Sequence, residues 1–258
     1  MGLGQRMVVV AAVAVTLGIT GCGDDPGQGR QGGPIASPSG NAAAVKSPAR
    51  LTTANFLPVT KKALAGKTTM RTTMRMVVAG QTITTRGVAR FGDRPAMSVV
   101  MNGPAFGGEA RVILVGNVLY ASIPGQVPAG KYLKVNADGS SPMAATLRQN
   151  LDGMDPMKTF NAFDAGLRKV TFIGTETNKG LRLQHYKVSV DTKAVLAAQG
   201  QPMTSGLPKT LTYDIWLDNA RLMRKITFTM AGVSTVMTAS DHGKPVTIKA
   251  PPADNIVN

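Results

Sequence analysis

The side chains best suited to covalent or acid–base chemistry are few in this 258-residue chain: one thiol, two histidines and 14 carboxylates. The thiol is Cys22, and it directly follows Ile19-Thr20-Gly21. A lone cysteine behind a small residue, at the end of an apolar run, resembles a lipobox. There the sulfur takes a diacylglycerol and the chain is cut just before it. A single cysteine excludes an intrachain disulfide framework and any multi-cysteine metal site. His185 and His242 have no metal-binding spacing between them. No Gly-x-Ser-x-Gly elbow is present, and no glycine-rich phosphate loop opens a helix. The closest carboxylate pairs are Asp152 with Asp155, and Asp214 with Asp218. The first reads as the flank of a helix break. The second reads as the two ends of one strand and its turn. The expectation is a protein that is not an enzyme and carries no metal or cofactor.

The segment that would present Cys22 has the layout of an export signal. Arg6 gives a short positive start, and Met7 to Ile19 is uncharged and rich in Ala and Val. That run is shorter than the roughly 20 residues a membrane-spanning helix needs, and it fits a signal h-region. Residues 1–21 are therefore expected to be a signal peptide, and Cys22 the lipid anchor on the outer face of the cell membrane. Residues 22–49 contain Pro26, Pro34, Pro38 and Pro48, several glycines and almost no large apolar side chain. Such a stretch cannot bury enough surface to order itself. It reads as a flexible linker with a reach of roughly 28 to 32 Å. Residues 50–258 are then one domain, large enough for a real core.

Beyond the linker a helix is expected from Leu51 to Ala65, with Thr52 or Thr53 as its cap or with a start or kink at Pro58, and stopped at Gly66. After it the apolar period becomes two, the mark of half-buried antiparallel strands. Met70, Thr72, Met74, Met76 and Val78 share one face of the first strand, opposite Arg71 and Arg75. Thr82 to Phe91, Ala96 to Met101, Arg111 to Val115, Val118 to Ser122 and Lys131 to Val135 continue the meander. Pro142 to Gly166 shifts toward a three-four spacing and reads as two short helices broken near Asp155-Pro156. Strands follow at 167–173, 181–190, 210–217, 221–230 and 233–240, with a short helix at 192–198 and an extended tail. The fold class is α+β. About eleven antiparallel strands are too many for a flat sheet, so a strongly curled half-barrel is expected, with helices on its concave face.

The C-terminal half carries Gly174-Thr175-Glu176, then Leu183 to Asp191, Leu207-Pro208, Ile215-Trp216-Leu217-Asp218 and Leu222-Met223-Arg224-Lys225. In order and spacing, and together with the lipobox, linker, single helix and meander, this resembles the mycobacterial LppX/LprAFG-type lipoproteins over about residues 50 to 250. The resemblance implies a LolA/LolB-like half-barrel that holds lipid or lipoglycan acyl chains between sheet and helices. It also implies carriage of that lipid toward the outer envelope, as a monomer that meets an envelope transporter. The family has no fixed catalytic motif to carry over.

The residues themselves point the same way. The chain has 14 methionines and one tryptophan, and most strand methionines fall on the apolar face. Methionine suits surfaces that accept varied apolar shapes. The shared face of Met74, Met76, Ile83, Phe91, Met97, Val99, Met101, Val112 and Leu114 is the expected cavity lining. A register slip of one residue would move the whole set outward. The bland alternative is that these side chains fill an ordinary core. Likewise the stripe Met143 to Phe163 either gates a cavity or caps the core. The net charge of +15 favours anionic lipid or acidic wall polymer over nucleic acid for an exported chain, with simple solubility as the alternative. Arg71, Arg75, Arg86 and Arg90 would form a basic patch on the convex side or an ordinary solvated face. An envelope lipoprotein that binds a protein partner, without lipid cargo, stays open as a second function.

Overall fold

The computed structural model describes residues 48–140, 144, 156–178, 180–201, 203 and 206–257. The expected signal, Cys22 and the linker up to residue 47 lie outside the described residues. So do Met143, Leu147, Leu151 and Met154 of the helical stripe, and the pair Asp152 and Asp155. The described residues form one 12-stranded sheet with a few helices on one face.

Helix α1 spans Phe56–Leu64. It starts later than a threonine cap would set, because Asn55 occupies the N-cap. The Asn55 side chain accepts the Thr52 N–H at 2.7 Å. Thr53 instead accepts the backbone N–H of Val170 at 2.9 Å, tying this entry segment to the sheet. Pro58 sits in the first turn, where no intrahelical N–H is needed. Lys61 and Lys62 in the last turn complement the helix dipole.

Six strands follow: β1 (Thr69–Val78), β2 (Gln81–Arg90), β3 (Ala96–Gly103), β4 (Gly108–Val115), β5 (Val118–Ser122) and β6 (Tyr132–Asn136). Helix α2 (Pro156–Gly166) leads into β7 (Leu167–Asn178) and β8 (Leu181–Asp191). Helix α3 (Thr192–Ala198) precedes β9 (Thr210–Leu217), β10 (Met223–Met230), β11 (Val233–Ser240) and β12 (Ile256–Val257). The spatial order is β12-β6-β5-β4-β3-β2-β1-β11-β10-β9-β8-β7. All pairings are antiparallel except β12 on β6. The two halves of the meander join where β11 returns to β1. Tight turns hold the register. Ala79-Gly80 and Ala231-Gly232 both have two positive φ angles, the backbone of a type I′ hairpin.

The alternation read from the sequence defines the two faces. Across the sheet, Phe172, Tyr186, Ile215, Ile226, Met237 and Met74 stand in one row on the inner face. Phe56 and Leu57 of α1, Ala162 of α2 and Val195 of α3 pack there, in a cluster with Val188, Tyr213 and Phe228. Asp191 caps α3 by accepting the Ala194 N–H at 2.9 Å, and Arg168 holds the same carboxylate at 2.7 Å.

Helices α2 and α3 meet at Gly166. A Cβ there would stand 2.5 Å from Val195 Cγ2 and 2.9 Å from the Asp191 carbonyl oxygen. Backbone cannot give way as a side chain can. Gly166→Ala is therefore expected to destabilise the domain by about 1–3 kcal/mol, the usual cost of overpacking. Urea unfolding would read this as a lower midpoint with an unchanged slope.

Candidate functional site

The register brings the predicted lining residues together, with one exception. Met74 stands opposite Thr85, and Thr85 opposite Met101 and then Ala110. Met76 stands opposite Ile83. Gly87, Val99, Val112 and Ala121 form the next row, and Met97, Leu114, Leu119 and Val135 the one after. All of them lie on the inner face, continuous with the helix-bearing surface. Phe91 is the exception. It lies just past the end of β2, half-buried in the loop, and its N–H donates to the Thr68 carbonyl at 2.8 Å. Gly92 (φ 95) turns the chain immediately afterwards and ends the alternation.

Burial divides this set. Met74 and Leu114 are buried, at 5% and 1% exposure. Met74 and Met76 belong to the helix-side cluster. Leu114 and Met97 belong to a second cluster with Val135, Ala137 and Ala144, toward the β6 end of the same face. Ile83, Val99, Met101 and Val112 belong to neither cluster and are half-buried. The inner face thus has an apolar floor on β2, β3 and β4, between two packed regions. The floor is uneven: Gly87 sits beside Val99, and a Cβ there would come 2.9 Å from Val99 Cγ2. The valine side chain leans over the glycine.

A polar clamp marks the end of this face where the linker enters, and the sequence reading missed it. Gln184 and Tyr186 are buried on the inner face of β8, at 4% and 0% exposure. The Tyr186 hydroxyl donates to Gln184 Oε1 at 2.6 Å and accepts the Leu51 N–H at 3.1 Å. Gln184 Nε2 donates to the Pro48 carbonyl at 2.8 Å. Arg221 donates both to Gln184 and to the Ala49 carbonyl. The signal was available: Gln184 shares the inward parity of Tyr186, and an inward glutamine needs partners.

The titratable groups lie elsewhere. His185 is on the outer face of β8, stacked on Trp216 at 4.2 Å between ring centroids. Its Nε2 lies 2.7 Å from Asp214 and its Nδ1 3.3 Å from Glu176. Lys225 covers the indole at 4.1 Å. This is a sheet-surface stack, as expected for a strand histidine. Asp218 closes the β9–β10 hairpin by accepting the Leu222 N–H at 3.0 Å and pairing with Arg224 at 2.6 Å. Asp214 and Asp218 thus occupy a strand and its turn. A cleft of about 530 Å³ opens at the β4–β6 edge, lined by Glu109, Arg111, Ser122 and Tyr132. Glu109 and Arg111 pair there, which makes it a poor place for an acyl chain.

His242 lies behind Arg224, its Nδ1 at 3.5 Å from the guanidinium. Burial, and then the Arg224 charge, hold its pKa below the usual 6.5. The folded state therefore refuses a proton that the unfolded chain accepts. The sign follows directly: the stability is present above about pH 6.5 and is lost as pH falls toward the folded value. Melting temperature is expected to drop between about pH 7.5 and 5, and His242→Asn should flatten that slope by keeping an acceptor that cannot charge. Asp191 and Asp241 have pKa values lowered from 3.8 and do not titrate in this window.

No family model and no curated protein matches the chain. Solved structures do. LprF from Mycobacterium bovis aligns over 77% of this chain and 96% of its own, at 14% identity and a TM-score of 0.54. The Mycobacterium tuberculosis lipoprotein LppX aligns over 76% and 98%, at 12% identity and a TM-score of 0.54. The chain shares their fold. The resemblance to LppX/LprAFG-type lipoproteins read from the sequence therefore holds at the level of architecture. Both structures are covered almost end to end, so the likeness in fold is not confined to one hairpin. At this identity no individual side chain carries over from either structure.

Proposed function

We propose that this protein is a membrane-anchored lipoprotein that holds the acyl chains of a lipid or lipoglycan over the inner face of its sheet and carries them toward the outer envelope. Cys22 is the anchor, and the domain works on the extracytoplasmic side. The sheet curls into a half-barrel around the cargo. The protein acts as a monomeric carrier without catalysis, loaded or unloaded by an envelope transporter. The observation that supports this most is the floor of Ile83, Val99, Met101 and Val112 between two packed clusters. Flexible and branched apolar side chains that meet no cluster of their own suit a ligand of variable apolar shape. The shared fold with LppX and LprF adds to the same reading.

The test is native mass spectrometry of residues 47–258, secreted from an actinobacterial host, with organic extraction of whatever is bound. The sheet, its helices and both apolar clusters lie within this stretch, so it carries a core of its own. A co-purifying diacyl or triacyl lipid is the expected result. A protein that stays bare after incubation with total host lipid would overturn the carrier reading in favour of a protein-binding envelope lipoprotein.

A further inference from the structure

The outer face of the sheet carries a second feature that acyl-chain binding does not use. Arg86 of β2 stands directly opposite Thr73 of β1, and Arg71 and Arg75 occupy the outward positions on either side of Thr73. Arg90 follows on the same face of β2, opposite Thr69. Arg71, Arg75 and Arg86 are exposed. Asp241 pairs with Arg71 at 3.3 Å. Arg75 donates to the Thr82 hydroxyl at 3.2 Å and Arg90 to the Arg94 carbonyl at 3.0 Å. Among the described residues no carboxylate pairs with Arg75, Arg86 or Arg90. Arginines in diagonal positions on neighbouring strands repel one another, and an external anion offsets that repulsion.

We infer that the outer face of β1 and β2 docks on an anionic lipid surface through Arg75, Arg86 and Arg90. Two observations select a membrane over a soluble anion. The cluster is spread across a strand pair, and Arg90 at its end borders a cleft open to solvent with Thr68, Asp93 and Arg94; the set as a whole therefore meets a plane of charges better than one phosphate group. On the sequence reading, the segment that ends at Pro48 and Ala49 in the Gln184–Arg221 clamp also leads back to Cys22, an expected reach of roughly 28 to 32 Å. On the anchor reading, the domain is held where such a surface is always near. Docked this way, the helix-bearing inner face points away from the membrane.

The experiment floats residues 47–258, which lack both Cys22 and the apolar run Met7 to Ile19, against phosphatidylglycerol-containing vesicles and against pure phosphatidylcholine. Binding is expected to anionic vesicles at low salt and to fall at high salt. The Arg75→Gln/Arg86→Gln/Arg90→Gln variant should bind on the order of 100-fold more weakly, from roughly 1 kcal/mol per basic residue near such a surface. A charge-matched control, Lys62→Gln/Lys193→Gln/Lys209→Gln, alters exposed lysines outside these two strands and should bind as the parent does. Equal losses in the two variants would mean that net charge alone drives association, and would overturn the proposal. A parent chain that ignores anionic vesicles but binds a soluble acidic polysaccharide would also overturn it, in favour of wall polymer. Should the triple variant melt early, Arg86→Gln alone still tests the site, with several-fold weaker binding expected. Lipid cargo is measured separately by mass, so the failure of either proposal leaves the other standing.

Discussion

Phe228→Ala is expected to lower the unfolding free energy by about 3–5 kcal/mol, the range for removing a buried aromatic ring. Phe228 lies on the inner face of β10 and is 1% exposed. Its ring meets Tyr213 edge-on, with centroids 4.3 Å apart, and Tyr213 in turn lies 5.0 Å from Phe163 of α2. The ring therefore sits in the chain of contacts that attaches a helix to the sheet. Burial also raises the Tyr213 pKa well above its usual 10, consistent with a dry surround. Truncation leaves a cavity walled by strands on either side, which cannot close without breaking pairing. In a domain of this size the melting temperature should fall by on the order of 10 °C. Met101→Ala serves as the contrast. Met101 is half-buried and outside both clusters, so truncation there should cost less than about 1 kcal/mol. Thermal unfolding of the two variants separates core from floor. Equal losses would mean that the inner face of β3 is as tightly packed as that of β10.

The contrast also marks what could be read in advance. Strand periodicity placed Met74, Met76, Ile83, Met97, Val99, Met101, Val112 and Leu114 on one face, because a period of two assigns faces wherever pairing is regular. It failed at Phe91, where regular pairing stops at Arg90 and the parity of the strand no longer applies. It also ended a strand at residue 173, although β7 runs on to Asn178. β7 is an edge strand, and polar residues are tolerated there because one side of the strand meets no partner strand. The twelfth strand was invisible for another reason. Ile256 and Val257 pair in parallel with Tyr132 and Leu133, a contact across about half of the chain that no local pattern encodes. α1 starts nearer the Pro58 alternative than the threonines: the Thr52 N–H donates to the Asn55 side chain, and the Thr53 hydroxyl accepts the Val170 N–H instead of capping. Alternation also could not separate a packed inner face from an available one. Met74 and Met101 have the same residue type and parity, and only the packing of α1 and its neighbours makes one core and the other floor.

The largest functional effect is expected from filling that floor. Val99→Trp, alone and combined with Met76→Trp, should abolish co-purifying lipid while leaving the fold intact. An indole places a large rigid apolar group on the surface an acyl chain would cover. Each methylene of the chain displaced into water forfeits about 0.8 kcal/mol. Displacing four methylenes already weakens retention on the order of 100-fold. Val99 is the better site. It sits in the row between Gly87 and Val112, in the stretch that neither cluster occupies, so the new ring has room to lie along the sheet. Met76 packs on the helix-side cluster, and its replacement narrows the floor from that side. The measurement is moles of extractable lipid per mole of protein, read beside thermal unfolding. Lost lipid with an unchanged melting temperature locates the cargo on β2 to β4. Full lipid loading in a folded double variant would place the cargo elsewhere. Lost lipid in a variant that also melts early would instead mean that Val99 belongs to a packed core, because overpacking a closed interior costs about 1–3 kcal/mol where an open floor costs little.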